Sequence, residues 1–138
     1  MTDASMKPTS RQICDRPVAI IVTLVIAWFG LWIHELHRVP AAFGLTPDAS
    51  LPLLVIAGVL LAWRLLARRK RAATIALLVY GIINCVGGFL SVLPLPFLLF
   101  VPEQEFNHYL VHAIYALFQV PLMIVTIRAL AAKATGLR

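Results

Sequence analysis

The four histidines of this sequence are the residues best suited to chemistry, and they occur as two pairs. His34 and His37 are three residues apart, and His108 and His112 are four apart. On an α-helix, either spacing places both side chains on one face. Neutral imidazole binds zinc, copper, iron and nickel, and it also titrates near neutral pH. The pairs therefore predict a site for a metal, a haem or a proton if the two helices meet.

Carboxylates lie close to both histidine pairs along the chain. Glu35 follows His34 directly, and Glu103 and Glu105 lie shortly before His108. A mixed set of imidazole and carboxylate ligands is typical of zinc and iron sites. The sequence thus predicts seven candidate metal ligands: His34, His37, His108, His112, Glu35, Glu103 and Glu105.

A haem is the second interpretation of the histidines. Two imidazoles on opposing helices can serve as axial ligands of its iron. The ring would need space between the helices, and Gly30, Gly87 or Gly88 would leave that space. A third interpretation has no ligand at all, because histidines near lipid headgroups are often interfacial or simply hydrogen-bonded.

Known motifs do not decide among these interpretations. The segment His34-Glu35-Leu36-His37 is one residue short of the zinc-protease motif HExxH, and no glutamate follows His108. The sequence contains no CxxC, Gly-rich phosphate loop or Ser/His/Asp set. It therefore predicts no catalytic residue, and it leaves open whether the protein is an enzyme.

Composition indicates that the elements positioning these histidines lie in lipid. Of the 138 residues, 61% are hydrophobic and 13% are charged, whereas soluble domains contain about 25% charged residues. The net charge is +6, but the basic residues stand at the ends of apolar runs, where they act as topology signals. The sequence therefore predicts that the protein interacts with a lipid bilayer and not with nucleic acid.

Four apolar segments have about the length that a membrane crossing requires. They are bounded by charges, prolines and glycines, and they cover residues 17–37, 49–66, 73–93 and 106–131. We therefore predict an all-α integral membrane protein, a four-transmembrane-helix bundle in residues 17–132. Residues 1–16 and 133–138 would form short tails.

The distribution of positive charge predicts the orientation of the bundle. With the N-terminus inside, eleven of the twelve lysines and arginines are cytoplasmic, and only Arg38 is outside. The positive-inside rule then gives an N-in/C-in topology, in a bacterial-type plasma membrane, with every histidine near the outer surface. One alternative stays open: the first span could be a signal peptide cleaved near Val39-Pro40-Ala41.

Polar and small residues at helical spacing predict which spans meet, because polar groups in a membrane usually face the bundle interior. The stripes comprise Thr23, Ala27, Gly30, His34 and His37 on span one; Tyr80, Asn84, Gly87 or Gly88, and Ser91 on span three; and His108, His112, Tyr115 and Gln119 on span four. Spans one, three and four are therefore expected to pack together, with span two more peripheral.

Three functions are compatible with such a protein. The first is an accessory or assembly subunit of a larger membrane complex. The second is a metal- or haem-binding membrane protein with its site at the outer face. The third is a small-solute or ion transporter, which would require a homo-oligomer because four short helices are few for a pathway.

Overall fold

The computed structural model describes residues 17–38, 50–68, 70–96 and 104–134, and all regular secondary structure within them is helical. Four helices follow one another: α1 (Pro17–Arg38), α2 (Ser50–Leu66), α3 (Lys70–Leu90) and α4 (Phe106–Ala134). The predicted tails lie outside the described residues, apart from Lys133 and Ala134, whose backbone completes α4. The predicted all-α class is confirmed.

The structure shifts α3 towards the N-terminus relative to the sequence prediction. Residues 73–93 were expected, but the helix begins at Lys70 and ends at Leu90. Lys70 and Arg71 are exposed in the first turn, where long basic side chains can extend away from apolar surroundings. After Leu90 a turn carries the chain to Pro94, because the residue before a proline disfavours helical geometry.

Three helices are long and apolar enough to cross a membrane: Pro17–Leu36 within α1, Lys70–Leu90 and Phe106–Ala132 within α4. The apolar part of α2, Leu51–Leu66, is shorter. These lengths fit the predicted transmembrane helical bundle. α4 runs through Pro121 without interruption.

α4 is the central element of the bundle. It makes the most extensive contacts in the structure, with α1 on one side and α3 on the other, whereas α2 packs on α3 and less extensively on α1. Gly30 lies against the Phe118 side chain and Gly88 against the Tyr115 ring, so small residues allow close helix approach. This is the predicted arrangement, with span two at the periphery.

The two ends of the bundle differ in polarity. Around Gln119 and beyond it towards the C-terminal end of α4, the core is built from apolar side chains: Ile20, Leu24, Ala27, Ala57, Leu77, Tyr80 and Leu122. Towards the N-terminal end of α4, the buried residues include His34, Glu35 and His112. His34 and His112 therefore lie in the half of the bundle that also buries a carboxylate, whereas the other half buries mainly apolar side chains, together with three threonines and Arg64.

A buried histidine pair as the candidate functional site

His34 of α1 and His112 of α4 meet inside the bundle. Their Nε2 atoms are 2.9 Å apart, and the rings are nearly perpendicular, with centroids separated by 4.3 Å. The residues are only 8% and 6% exposed. The distance is that of a hydrogen bond between two ring nitrogens, so a proton must lie between them.

The other nitrogen of each ring faces an acceptor. His34 Nδ1 is 3.1 Å from Glu35 Oε1, and Glu35 is 1% exposed. His112 Nδ1 is 2.9 Å from the Gly88 carbonyl oxygen and 3.3 Å from Ser91 Oγ. Because a carbonyl oxygen only accepts, the His112 Nδ1 carries a hydrogen and donates it.

These partners determine how many protons the cluster holds. With Nδ1 protonated, the Nε2 of a neutral His112 is an acceptor, so His34 Nε2–H must donate to it. His34 Nδ1 then either donates to an ionised Glu35 or accepts from a protonated one. Both arrangements contain the same number of protons, and one proton is shared along the chain Glu35–His34–His112.

When that proton is lost, the hydrogen left on His34 is favoured at Nδ1, where it donates to the Glu35 carboxylate in a charge-assisted hydrogen bond. Two nitrogen lone pairs then face each other at 2.9 Å. The hydrogen-bonded cluster is neutral overall, as an imidazolium with a carboxylate or as two neutral groups. Without the proton it carries one negative charge. In the proton-bound form, both short contacts of His34 are hydrogen bonds.

Further polar residues continue from the histidine pair in both directions along α4. The His108 ring lies 4.6 Å from the His112 ring, centroid to centroid, and is half-buried. One turn in the other direction, the Tyr115 hydroxyl donates to Asn84 Oδ1. Gln119 Nε2 donates to the Ala27 carbonyl oxygen at 3.0 Å. The predicted polar stripe of span four therefore lies inside the bundle.

The structure brings together only part of the predicted ligand set. His34, His112 and Glu35 are in direct contact, and His108 adjoins His112. Glu105 is exposed just before α4. Glu103 and the side chain of His37 lie outside the described residues.

The geometry at the pair fits a proton better than a metal ion. Two nitrogens bound to one tetrahedral ion at about 2.0–2.1 Å lie roughly 3.3 Å apart, but the Nε2 atoms are 2.9 Å apart. Within the described ranges, no group of three or more His, Cys, Asp and Glu residues is placed to hold a metal. Zinc, copper or iron binding stays a prediction without a complete ligand set in this part of the chain.

A haem does not fit between these histidines. Axial nitrogens on opposite sides of an iron, each at about 2 Å, would lie roughly 4 Å apart with the ring between them. Of the three glycines expected to leave space, Gly87 is exposed with nothing within 4 Å of a Cβ there, but the space beside Gly30 and Gly88 is filled. A Cβ on Gly30 would lie 2.5 Å from Phe118 Cβ, and one on Gly88 would lie 3.0 Å from Tyr115.

Sequence reasoning missed the burial of Arg64. It treated basic residues at the ends of apolar runs as topology signals, yet Arg64 is 1% exposed and lies in the last turn of α2. Arg64 stands seven residues after the buried Ala57, so the two share a helix face. That spacing was the available signal.

Comparison with protein-family models, curated proteins and solved structures finds no match to this chain.

Proposed function

We propose that this protein is a membrane protein that binds and releases a proton at the His34–His112 pair. The observation that carries the proposal is the 2.9 Å contact between the two Nε2 atoms, with each Nδ1 facing an acceptor oxygen. Loss of the proton would leave the α1–α4 contact repulsive. Protonation would thereby control how these two helices pack.

The proposal includes a bundle that crosses the bilayer four times, with both termini in the cytoplasm. Support for α2 as a crossing comes from its hairpin with α3. The Tyr80 hydroxyl, midway along α3, donates to the Leu53 carbonyl oxygen near the start of α2. Antiparallel packing over that length supports a crossing by both helices. The positive charges then give the orientation.

The three functions expected from the sequence relate differently to this proposal. An accessory subunit of a larger complex is compatible with it, because protonation could regulate docking. A metal ion would compete with the proton for the same two Nε2 atoms. A transporter is the least favoured, because the polar residues that surround the pair do not extend through the apolar core.

The direct test is the detection of the shared proton by NMR. The full chain, labelled with ¹⁵N-histidine and held in lipid nanodiscs, should show a scalar coupling between Nε2 of His34 and Nε2 of His112 through the hydrogen bond. The coupling should disappear at high pH, when the proton is lost. It should also be absent in His112→Gln, which cannot complete the pair.

Metal content should be measured on the same sample, prepared without chelators or a polyhistidine tag. If the protein contains near-stoichiometric zinc, copper or iron, and the His34→Ala variant loses it, the pair binds a metal ion and not a proton. Two unprotonated Nε2 atoms at every pH, with no bound metal, would falsify the proposal. His108→Gln serves as the matched control, since it removes a histidine outside the direct contact.

A further inference from the structure

We infer that the proton reaches the His34–His112 pair only from the end of the bundle where His108 lies, and that His108 transfers it. This inference rests on the proposed proton binding. It adds that the site exchanges protons with one side of the membrane. The protein would then respond to acidity on that side without conducting protons across.

His108 is the group placed to connect the pair to solvent. It lies in the first turn of α4, is half-buried, and has its ring 4.6 Å from that of His112. A proton can cross such a gap by a small ring rotation or through one water molecule. The Glu105 side chain, just before α4, is exposed and marks the solvent boundary.

The opposite half of the bundle forms a barrier. Ile20, Leu24, Leu77 and Leu122 are at most 6% exposed and belong to one apolar cluster. A proton passing through this layer would need a polar group or a chain of water, and the packed side chains supply neither.

The buried hydroxyls in that half are already engaged with their own helices. Thr23 donates to the Ala19 carbonyl oxygen, Thr74 to that of Lys70 and Thr126 to that of Leu122, each at 2.8 Å. They therefore do not link into a continuous path. Among the described residues, the buried polar residues at that far end are these threonines and Arg64.

The titratable groups near the pair come from three helices. α1 contributes Glu35, in contact with His34. α4 contributes His108 and Tyr115, whose ring centroid is 5.9 Å from that of His34. α3 contributes Tyr80 and Cys85, which interact electrostatically with Tyr115. On α2 the charged residue in the described range is Arg64, in the last turn at the far end.

The test uses the full chain in proteoliposomes with the Trp63→Phe substitution. Trp63 is exposed on α2, so its removal leaves Trp28 and Trp32, which precede His34 on α1, as fluorescent reporters. A protease-cleavable C-terminal tag gives the fraction of molecules in each orientation. The external pH is then changed rapidly while tryptophan emission is recorded.

We expect a fast change in tryptophan emission. Its relative amplitude should equal the fraction of molecules whose His108 end faces the external solution. The remaining change should appear only when a protonophore equalises the internal pH. His108→Gln should slow the fast phase at least roughly tenfold, as for loss of a proton-transfer group, while the final amplitude stays the same.

If the whole emission change occurred without protonophore, proton access from one side only would be wrong. It would also be wrong if the amplitude of the fast change matched the fraction of molecules in the opposite orientation. An unchanged rate in His108→Gln would remove that residue from the pathway. If no emission change occurred while the NMR coupling was present, tryptophan would be the wrong reporter, and the histidine ¹⁵N signals would be followed instead. Absence of both the emission change and the coupling would reject proton binding itself.

Discussion

At the scale of single residues, we expect Glu35 to determine how strongly the pair holds the proposed proton. Its carboxylate is 3.1 Å from His34 Nδ1 and almost completely buried, and a nearby negative charge favours protonated imidazole. Glu35→Gln keeps an acceptor oxygen but removes the charge. We therefore expect the variant to lose the shared proton at lower pH than the original protein.

The ¹⁵N-histidine titration measures this difference directly. Glu105→Gln is the matched control, because the same chemical change is made at an exposed position where water screens the charge. Equal titrations of the Glu35→Gln variant and the original protein would mean that Glu35 does not act on the pair.

Ser91 is expected to matter much less than Glu35. Its Oγ lies 3.3 Å from His112 Nδ1, whereas the Gly88 carbonyl oxygen lies at 2.9 Å. Since the carbonyl stays in place, Ser91→Ala should lower the free energy of unfolding by less than about 1 kcal/mol and should leave the NMR coupling intact. Loss of the coupling would show that the hydroxyl fixes the His112 ring.

The sequence predicted the meeting of His34 with His112 because both belong to polar stripes with helical spacing. It did not predict the contact between His34 and Glu35. Adjacent residues on a helix do not share a face, so their contact depends on side-chain rotamers that helical periodicity does not specify. The role of the Gly88 carbonyl was equally inaccessible, because backbone acceptors carry no sequence signal.

At the scale of helices, the contact of α1 with α4 depends on Gly30. A Cβ at this position would lie 2.5 Å from Phe118 Cβ, a distance that forces the two helix backbones apart. Gly30→Ala should therefore lower the free energy of unfolding by about 1–3 kcal/mol, as overpacking does. Because the same interface contains the histidine pair, the NMR coupling should weaken as well.

Gly87→Ala provides the control for this substitution. Gly87 lies within α3, and a Cβ there would meet nothing within 4 Å. Alanine favours the helix over glycine by about 1 kcal/mol, so this variant should be as stable as the original protein or more stable. Unfolding in mixed detergent micelles measures both; equal stabilities of the two variants would contradict the packing argument.

Helix identity was predictable from the sequence, but helix ends were less so. α3 extends to Lys70 because basic side chains at a helix start can reach away from the apolar layer, while hydropathy alone places the boundary at the first uncharged residue. The buried Arg64 reflects the same difficulty. A charge near the end of an apolar run is ordinarily assigned to solvent.

At the scale of the whole molecule, the number of crossings depends on α2. At 1.5 Å per residue its 17 residues span about 26 Å, slightly less than a hydrocarbon core of about 30 Å. The 29 residues of α4 span about 44 Å, so α4 must tilt or extend beyond the core. Small mismatches cost only fractions of a kcal/mol per ångström, so the length of α2 does not prevent a crossing.

The sides of the membrane on which the two termini lie distinguish four crossings from three. Four crossings place the two termini on the same side, whereas three place them on opposite sides. We expect reporters of cytoplasmic location to be active when fused to either terminus, and a reporter of outer location to be active after Leu45. Activity of the outer reporter at the C-terminus, with an N-terminus inside, would mean that α2 does not cross. That result would also contradict the fold, because the C-terminal ends of α1 and α3 and the N-terminal end of α4 meet at the histidine pair, so the chain between α1 and α3 has to return along the bundle.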